Sequence, residues 1–168
     1  TSAGDVAGLL MWVLKLLSDH PGWADRLRRE AAPAPDPPFS GRPSLASRIV
    51  SETLRLQQSE FVMREIVRPF RHRGFRFPRG WLLRVCVQES HRDPVMFDRP
   101  EEFDPDRFLG APPAREQYAP FGLDRHACVG ESLARAMAEE FAGALAGYEW
   151  EVASDGPTEL SDWRHWAP

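Results

Sequence analysis

Prolines at positions 94, 100, 105, 112, 113 and 120 forbid both a long helix and a central strand over residues 94–127. So long an irregular stretch is unusual in a folded domain unless it is functional or packed on a cofactor. It runs into Pro120-Phe121-Gly122-Leu123-Asp124-Arg125-His126-Ala127-Cys128-Val129-Gly130, a glycine-containing loop that delivers one cysteine to the start of a helix. Phe121 stands seven residues before Cys128, His126 two before, and Gly130 two after. A thiolate is easiest to keep beside positive charge or at a helix N-terminus. A lone cysteine is more often a small buried hydrophobe, and it is the whole loop that favours a ligand.

With Cys128 as thiolate ligand to a haem iron, each neighbour has a physical task. Phe121 covers the sulfur side of the porphyrin, His126 faces a propionate, and Gly130 lets the helix backbone approach the macrocycle. The loop resembles the cysteine-ligand loop of the cytochrome P450 family, with Gly122 in the turn. Asp124 and His126 are the less common choices at their positions.

The chain has 168 residues, enough for one domain with a core. Its apolar share of 42% and charged share of 27% are ordinary for a globular protein. A net charge of −4 gives no sign of a nucleic-acid partner. Basic charge is nearly all arginine, Lys15 being the only lysine. That bias suits a GC-rich, bacterial coding sequence and carries no functional weight. Cys86 and Cys128 make no disulfide framework; Cys86 reads as a core residue of a strand over 81–88. No signal peptide or membrane segment is visible, since the apolar run Val6 to Leu17 is short and contains Lys15. A cytoplasmic location is expected.

Apolar spacing predicts helices over 5–18 and 21–32, the second opened by Pro21. Pro33-Ala34-Pro35-Asp36-Pro37-Pro38 is a stiff loop. A third helix is expected over 44–58 with Ser44 as N-cap. Residues 61–77 read as a hairpin turning near His72-Arg73-Gly74, and 81–88 as a buried strand. A last helix covers 129–147, with Val129, Leu133, Met137, Phe141 and Leu145 as its core face. Asp155-Gly156-Pro157 is a turn, and the tail ends on Trp163-Arg164-His165-Trp166. The fold expected is mainly α with a small β component. No N-cap precedes the first helix convincingly, so residues 1–168 read as the C-terminal part of a single domain, inactive in isolation.

Three further motifs follow in the family's order. Glu52 and Arg55 share a helix face and resemble the Glu-x-x-Arg pair of the family's K-helix. The resemblance implies a buried network with Arg107, from Phe103-Asp104-Pro105-Asp106-Arg107-Phe108, that holds the cysteine loop. His91-Arg92-Asp93-Pro94, followed by Phe97 and Pro100, matches a family turn. Arg64 lies where many members place an arginine near a haem propionate, and is equally readable as a surface strand residue. Phe61, Val62 and Met63 fall where members line the substrate pocket, or are plain core.

The resemblance implies haem b (iron protoporphyrin IX) bound through Cys128, Phe121, Gly122, His126, Gly130 and Arg64, with Cys128 the metal ligand. It implies monooxygenation of an apolar or amphipathic organic substrate with dioxygen, using electrons from a ferredoxin or flavoprotein. One departure matters. The helix over the haem usually carries an alcohol that delivers protons, and here that position falls on Asp5, with Gly4 in the acid position. Thr1 and Ser2 lie about a turn earlier. Asp5 is a candidate proton relay. The alternatives are a haem-thiolate peroxygenase or isomerase, and a non-catalytic haem-binding relic.

Overall fold

The computed structural model describes residues 2–31, 42–57, 61–156, 158–160 and 164–166. The expected loop 33–38, Thr1, Pro157 and Trp163 lie outside them. Helix α1 spans Ser2–Asp19, α2 Pro21–Ala31, α3 Leu45–Gln57, and α5 Glu131–Leu145. A short helix α4, Val87–Ser90, follows the strands. Pro21 opens α2 as expected, and Ser44 caps α3, its Oγ accepting from Ser47 N–H at 3.1 Å.

The core is where α1, α2, α3 and α5 meet. Val13, Leu16 and Leu17 of α1 pack with Leu27, with Leu45, Ile49, Val50 and Leu54 of α3, and with Ala138 and Ala142 of α5. Helix α3 is the axis of this arrangement. Its buried set includes Arg48, Glu52 and Arg55 as well as its apolar residues.

The face of α5 differs from expectation. Ala134, Ala138 and Ala142 turn inward; of the expected face Phe141 and Leu145 pack partly buried against the core, whereas Val129, Leu133 and Met137 are exposed. Both stripes recur every four residues. The alanine stripe wins because small side chains let α5 approach α1 and α3 closely, a choice that apolarity alone does not reveal.

The β structure also differs. Strand β1, Phe61–Glu65, pairs antiparallel with β4, Leu82–Cys86, placing Phe61 opposite Cys86 and Glu65 opposite Leu82. Only β2, Phe70–His72, and β3, Phe75–Phe77, form the local hairpin, turning at Arg73-Gly74 as expected. So the expected hairpin over 61–77 splits into two ribbons. Strand β4 is not buried: Leu82 is 69% exposed, Val85 is exposed and Cys86 half-buried. A continuous apolar run is the pattern of a strand covered on both faces, but the two-stranded ribbon leaves β4 uncovered among the described residues. Strands β5, Thr158–Leu160, and β6, Arg164–Trp166, form a last antiparallel pair.

Residues 91–130 cross this frame as turns. A 3-10 turn over Pro105–Phe108 is capped by Asp104, whose side chain accepts from Asp106 N–H. Asp106 in turn bridges Arg26 of α2 and Arg48 of α3. The Arg26 hydrogen bond holds the Asp106 carboxyl below its ordinary range, against the opposing effect of partial burial.

Candidate active site

The Glu52–Arg55 pair is fully buried. Arg55 Nε and Nη2 donate to the two Glu52 oxygens at 2.7 and 2.8 Å, a bidentate pairing. The remaining donors reach backbone carbonyls of the irregular stretch: Nη1 to His91 and Pro100 at 2.9 and 2.6 Å, Nη2 to Glu102 at 3.0 Å. Arg107 Nε approaches Glu52 Oε1 at 3.4 Å, and Asp104 N–H donates to the same oxygen at 3.0 Å. The expected triad is therefore present. One carboxylate and two guanidinia pin a segment whose own backbone hydrogen bonds only close local turns.

His91 carries the restraint onward. Its carbonyl accepts from Arg55, while its ring Nε2 accepts from Ala119 N–H at 3.1 Å, directly before the cysteine loop. Tyr118 donates its hydroxyl to Ser51 O of α3 at 2.7 Å, and burial pushes its pKa up to about 12, so it remains a donor. Arg135 of α5 lies over the Phe121 ring at 5.2 Å, fixing the loop from the other side.

Burial lowers the His91 pKa from 6.5 to about 4, with the Arg55 charge adding to the effect. The unfolded chain takes up its imidazole proton near pH 6.5 and the folded chain only near 4. Stability from His91 is thus complete above pH 6.5 and is lost as pH falls towards 4, by about 3 kcal/mol in total. Chemical denaturation across that window should show a steeper loss in the parent than in His91→Gln. Parallel curves for the two proteins would remove His91 from the account.

The loop itself is tightly wound. Gly122 has φ +78° and Asp124 φ +53°. Cys128 N–H donates to Phe121 O at 2.8 Å, closing the loop just before α5. The left-handed conformation suits Gly122, and aspartate tolerates it better than most residues do. A Cβ on Gly122 would stand 3.1 Å from His126 O. Gly122→Ala should therefore cost about 1–2 kcal/mol in backbone conformation, plus that contact. Thermal melting reads this directly, and an unchanged midpoint would contradict the loop geometry.

One open, mainly apolar cleft of about 230 Å³ gathers the sequence-predicted residues. Asp5, Arg64, Phe121, Gly122, His126, Cys128 and Gly130 all line it. Cys128 is exposed on it, three residues before the start of α5, where the helix end favours negative charge. A Cβ on Gly130 would meet the Cys128 sulfur at 3.7 Å, so glycine keeps the approach to the sulfur clear. In β1, Val62 and Arg64 line the cleft, whereas Phe61 lies under Arg84 and Met63 is exposed. Strand alternation separates the two pairs, so only Val62 of the three expected pocket residues lines it. Of the candidate relay residues, Asp5 lines the cleft.

Sequence reasoning missed His91 as a link to the loop, Arg135 and Tyr118 as its supports, and Leu9, Leu54, Val87 and Ala134 as cleft walls. The helical spacing of Leu9 from Asp5, and of Ala134 from Gly130, is the signal that pointed to two of the walls. The chemistry of the set is clear: an apolar slot, one thiol on its floor, and cationic or ionisable groups at Arg64 and His126. It suits a flat apolar macrocycle that carries a soft-ligand metal and anionic substituents.

The cytochrome P450 family model matches residues 6–165, and the chain belongs to that family. It is 32% identical over 158 residues to abscisic acid 8'-hydroxylase 3 of Oryza sativa subsp. indica, covering 87% of this chain and 31% of that one. It is 32% identical over 168 residues to abscisic acid 8'-hydroxylase 2 of Arabidopsis thaliana, covering 89% and 33%. The fold is similar to that of retinoic acid bound cyanobacterial CYP120A1, with a TM-score of 0.72, 28% identity, and coverage of 85% and 35%. A cytochrome P450DA mutant haem domain gives a TM-score of 0.74 at 22% identity, covering 97% of this chain and 38% of that one. The chain spans about a third of the length of the curated relatives it matches. Its architecture, mainly helical with small sheets, is the corresponding part of the P450 fold. Those two curated relatives are plant enzymes and lend no support to the expected bacterial source.

Proposed function

We propose that residues 1–168 form the cysteine-bearing part of a haem-thiolate monooxygenase domain. The convergence of Asp5, Arg64, Phe121, His126, Cys128 and Gly130 on one apolar cleft carries this reading. The group that this cleft would hold is haem b, with Cys128 supplying the thiolate to its iron. Haem, once bound through a thiolate, supplies the activation of dioxygen. The chain's own residues hold and orient it. Gly130 and Ala134 keep the cleft floor low, Phe121 would wall the sulfur, and Arg64 and His126 would offer charge to the haem propionates. Asp5 holds a proton source on the α1 side of the cleft.

The substrate class is an apolar or amphipathic organic acid. Two similar proteins support it, one named as an abscisic acid 8'-hydroxylase and one solved with retinoic acid bound. Electrons come from a ferredoxin or flavoprotein. The free thiols Cys86 and Cys128 suit a reducing compartment, and the cytoplasm is the proposed location.

The test is product formation from abscisic and retinoic acids by the haem-loaded whole domain that contains residues 1–168, since those residues alone are expected to be inactive. Product that needs both an electron donor and dioxygen supports monooxygenation. Product from hydrogen peroxide alone, with none from the donor and dioxygen, replaces it with a peroxygenase. The aspartate at the alcohol position is the observation that favours this second reading. Asp5→Asn should then slow turnover while leaving haem content unchanged.

A further inference from the structure

Phe121 belongs to two cavities at once. It lines the cleft that holds Cys128, and also a second recess of about 300 Å³ lined by Ser51, Tyr118, Glu131 and Arg135. Arg135 and Tyr118 do not line the Cys128 cleft. The phenylalanine is therefore a partition, with the sulfur on one side and a guanidinium on the other.

The backbone alone does not fix such a partition. Phe121 lies in a turn closed by Gly122 N–H, which donates to Ala119 O at 3.0 Å. Its own carbonyl accepts from Cys128 N–H. Those bonds set the path of the loop and leave the ring free to choose its rotamer. What stacks on the ring makes the choice. Arg135 Cζ stands 5.2 Å from the Phe121 centroid and 5.9 Å from that of Tyr118.

The guanidinium is itself tethered twice. Nε donates to Glu131, one turn earlier on α5, at 3.1 Å, and Nη1 reaches Ser51 Oγ of α3 at 3.5 Å. Tyr118, the second ring beneath it, donates to the carbonyl of the same Ser51. So α3 and α5 together aim one planar cation at one loop side chain. The Arg135 side chain is only 23% exposed, and every partner in the set lies within the described residues.

We propose that Arg135 is a positioning residue for the metal ligand: it holds Phe121 against the cleft, keeps water off the Cys128 sulfur, and so sets how strongly the thiolate donates to iron. The inference rests on the haem-thiolate reading above. Hydrogen bonding and solvent exposure at a ligating sulfur shift the potential of its metal. A donor on the sulfur withdraws electron density, and the reduced, more negative centre gains most from it. Releasing Phe121 therefore raises the potential. Loss of a nearby cation acts in the opposite sense, because it disfavours the more negative state. Arg135→Lys separates the two effects, since lysine keeps the charge but not the planar stacking head.

Potentiometric titration of the haem-loaded whole domain that contains residues 1–168 tests the proposal. Arg135→Lys should shift the ferric–ferrous equilibrium towards ferrous by up to about tenfold, the reach of one partly buried cation–π contact. Phe121→Leu keeps an apolar side chain without a π face. In that background Arg135→Lys should have no further effect. A merely structural arginine would lower haem content and melting temperature and leave the potential of the loaded protein alone. An unchanged potential in Arg135→Lys thus overturns the proposal, whatever the melting curve shows. An equal shift with and without the Phe121 ring also overturns it, because the arginine then acts without the partition. A parent whose reduced carbonyl complex lacks the red-shifted Soret band of a thiolate overturns the haem-thiolate reading, and this inference with it.

Discussion

Glu52→Ala should leave little folded protein able to load haem. The carboxylate is fully buried and serves Arg55, Arg107 and the Asp104 amide together. Deleting it leaves the wholly buried Arg55 guanidinium without its counter-charge, at a cost of roughly 3–5 kcal/mol. Whole domains hold only about 5–15 kcal/mol, so this is a large fraction of the total. The damage has a direction as well as a size. Arg55 also holds the carbonyls of His91, Pro100 and Glu102, and His91 holds Ala119. Slackening Arg55 therefore loosens the cysteine loop at a distance. Glu52→Gln keeps hydrogen-bond acceptors but not the charge, and should fall between parent and alanine variant. Denaturant melts and haem content read both effects. An alanine variant that melts and loads haem like the parent would show that the network is not structural.

This network was legible through the family resemblance, which implied the buried pair and named Arg107 as its third member. The three-residue spacing of Glu52 and Arg55 is by itself a weak signal, because exposed pairs of this kind contribute little. The second charge cluster, Arg26 and Arg48 on Asp106, left no such trace, because nothing in a single chain marks which exposed-looking charges meet. The helices were legible from 3.6-residue spacing and from Pro21 and Ser44. The face of α5 was not: its large apolar stripe and its alanine stripe have the same period. Which one is buried depends on how near α1 and α3 stand. Strand partners were hidden for a similar reason. β1 passes over the local hairpin to pair with β4, and local sequence carries no record of that skip. In the cleft, Cys128 and its loop stood out because glycines and a cysteine at fixed spacing have few other uses. Leu54, Val87 and Ala134 are ordinary apolar residues, whose place on the wall comes only from the fold.

Cys128→Ser should have the largest effect of all, removing the one sulfur that lines the cleft among the described residues. Serine keeps the volume nearly unchanged, and the backbone bond from residue 128 to Phe121 O does not need the side chain. The fold should therefore survive, with a melting curve close to that of the parent. What disappears is the soft anionic donor at the helix end. Cys86 is the internal control. It pairs opposite Phe61 at the edge of the β1–β4 ribbon and does not line the cleft. Cys86→Ser should leave haem binding intact.

The absorption spectrum of haem-loaded protein, reduced and saturated with carbon monoxide, tests the central claim most directly. A thiolate opposite carbon monoxide shifts the Soret band strongly to the red. That band should be present in the parent and in Cys86→Ser, and absent in Cys128→Ser. Persistence of the red-shifted band in Cys128→Ser would contradict the assignment of Cys128 as the haem ligand.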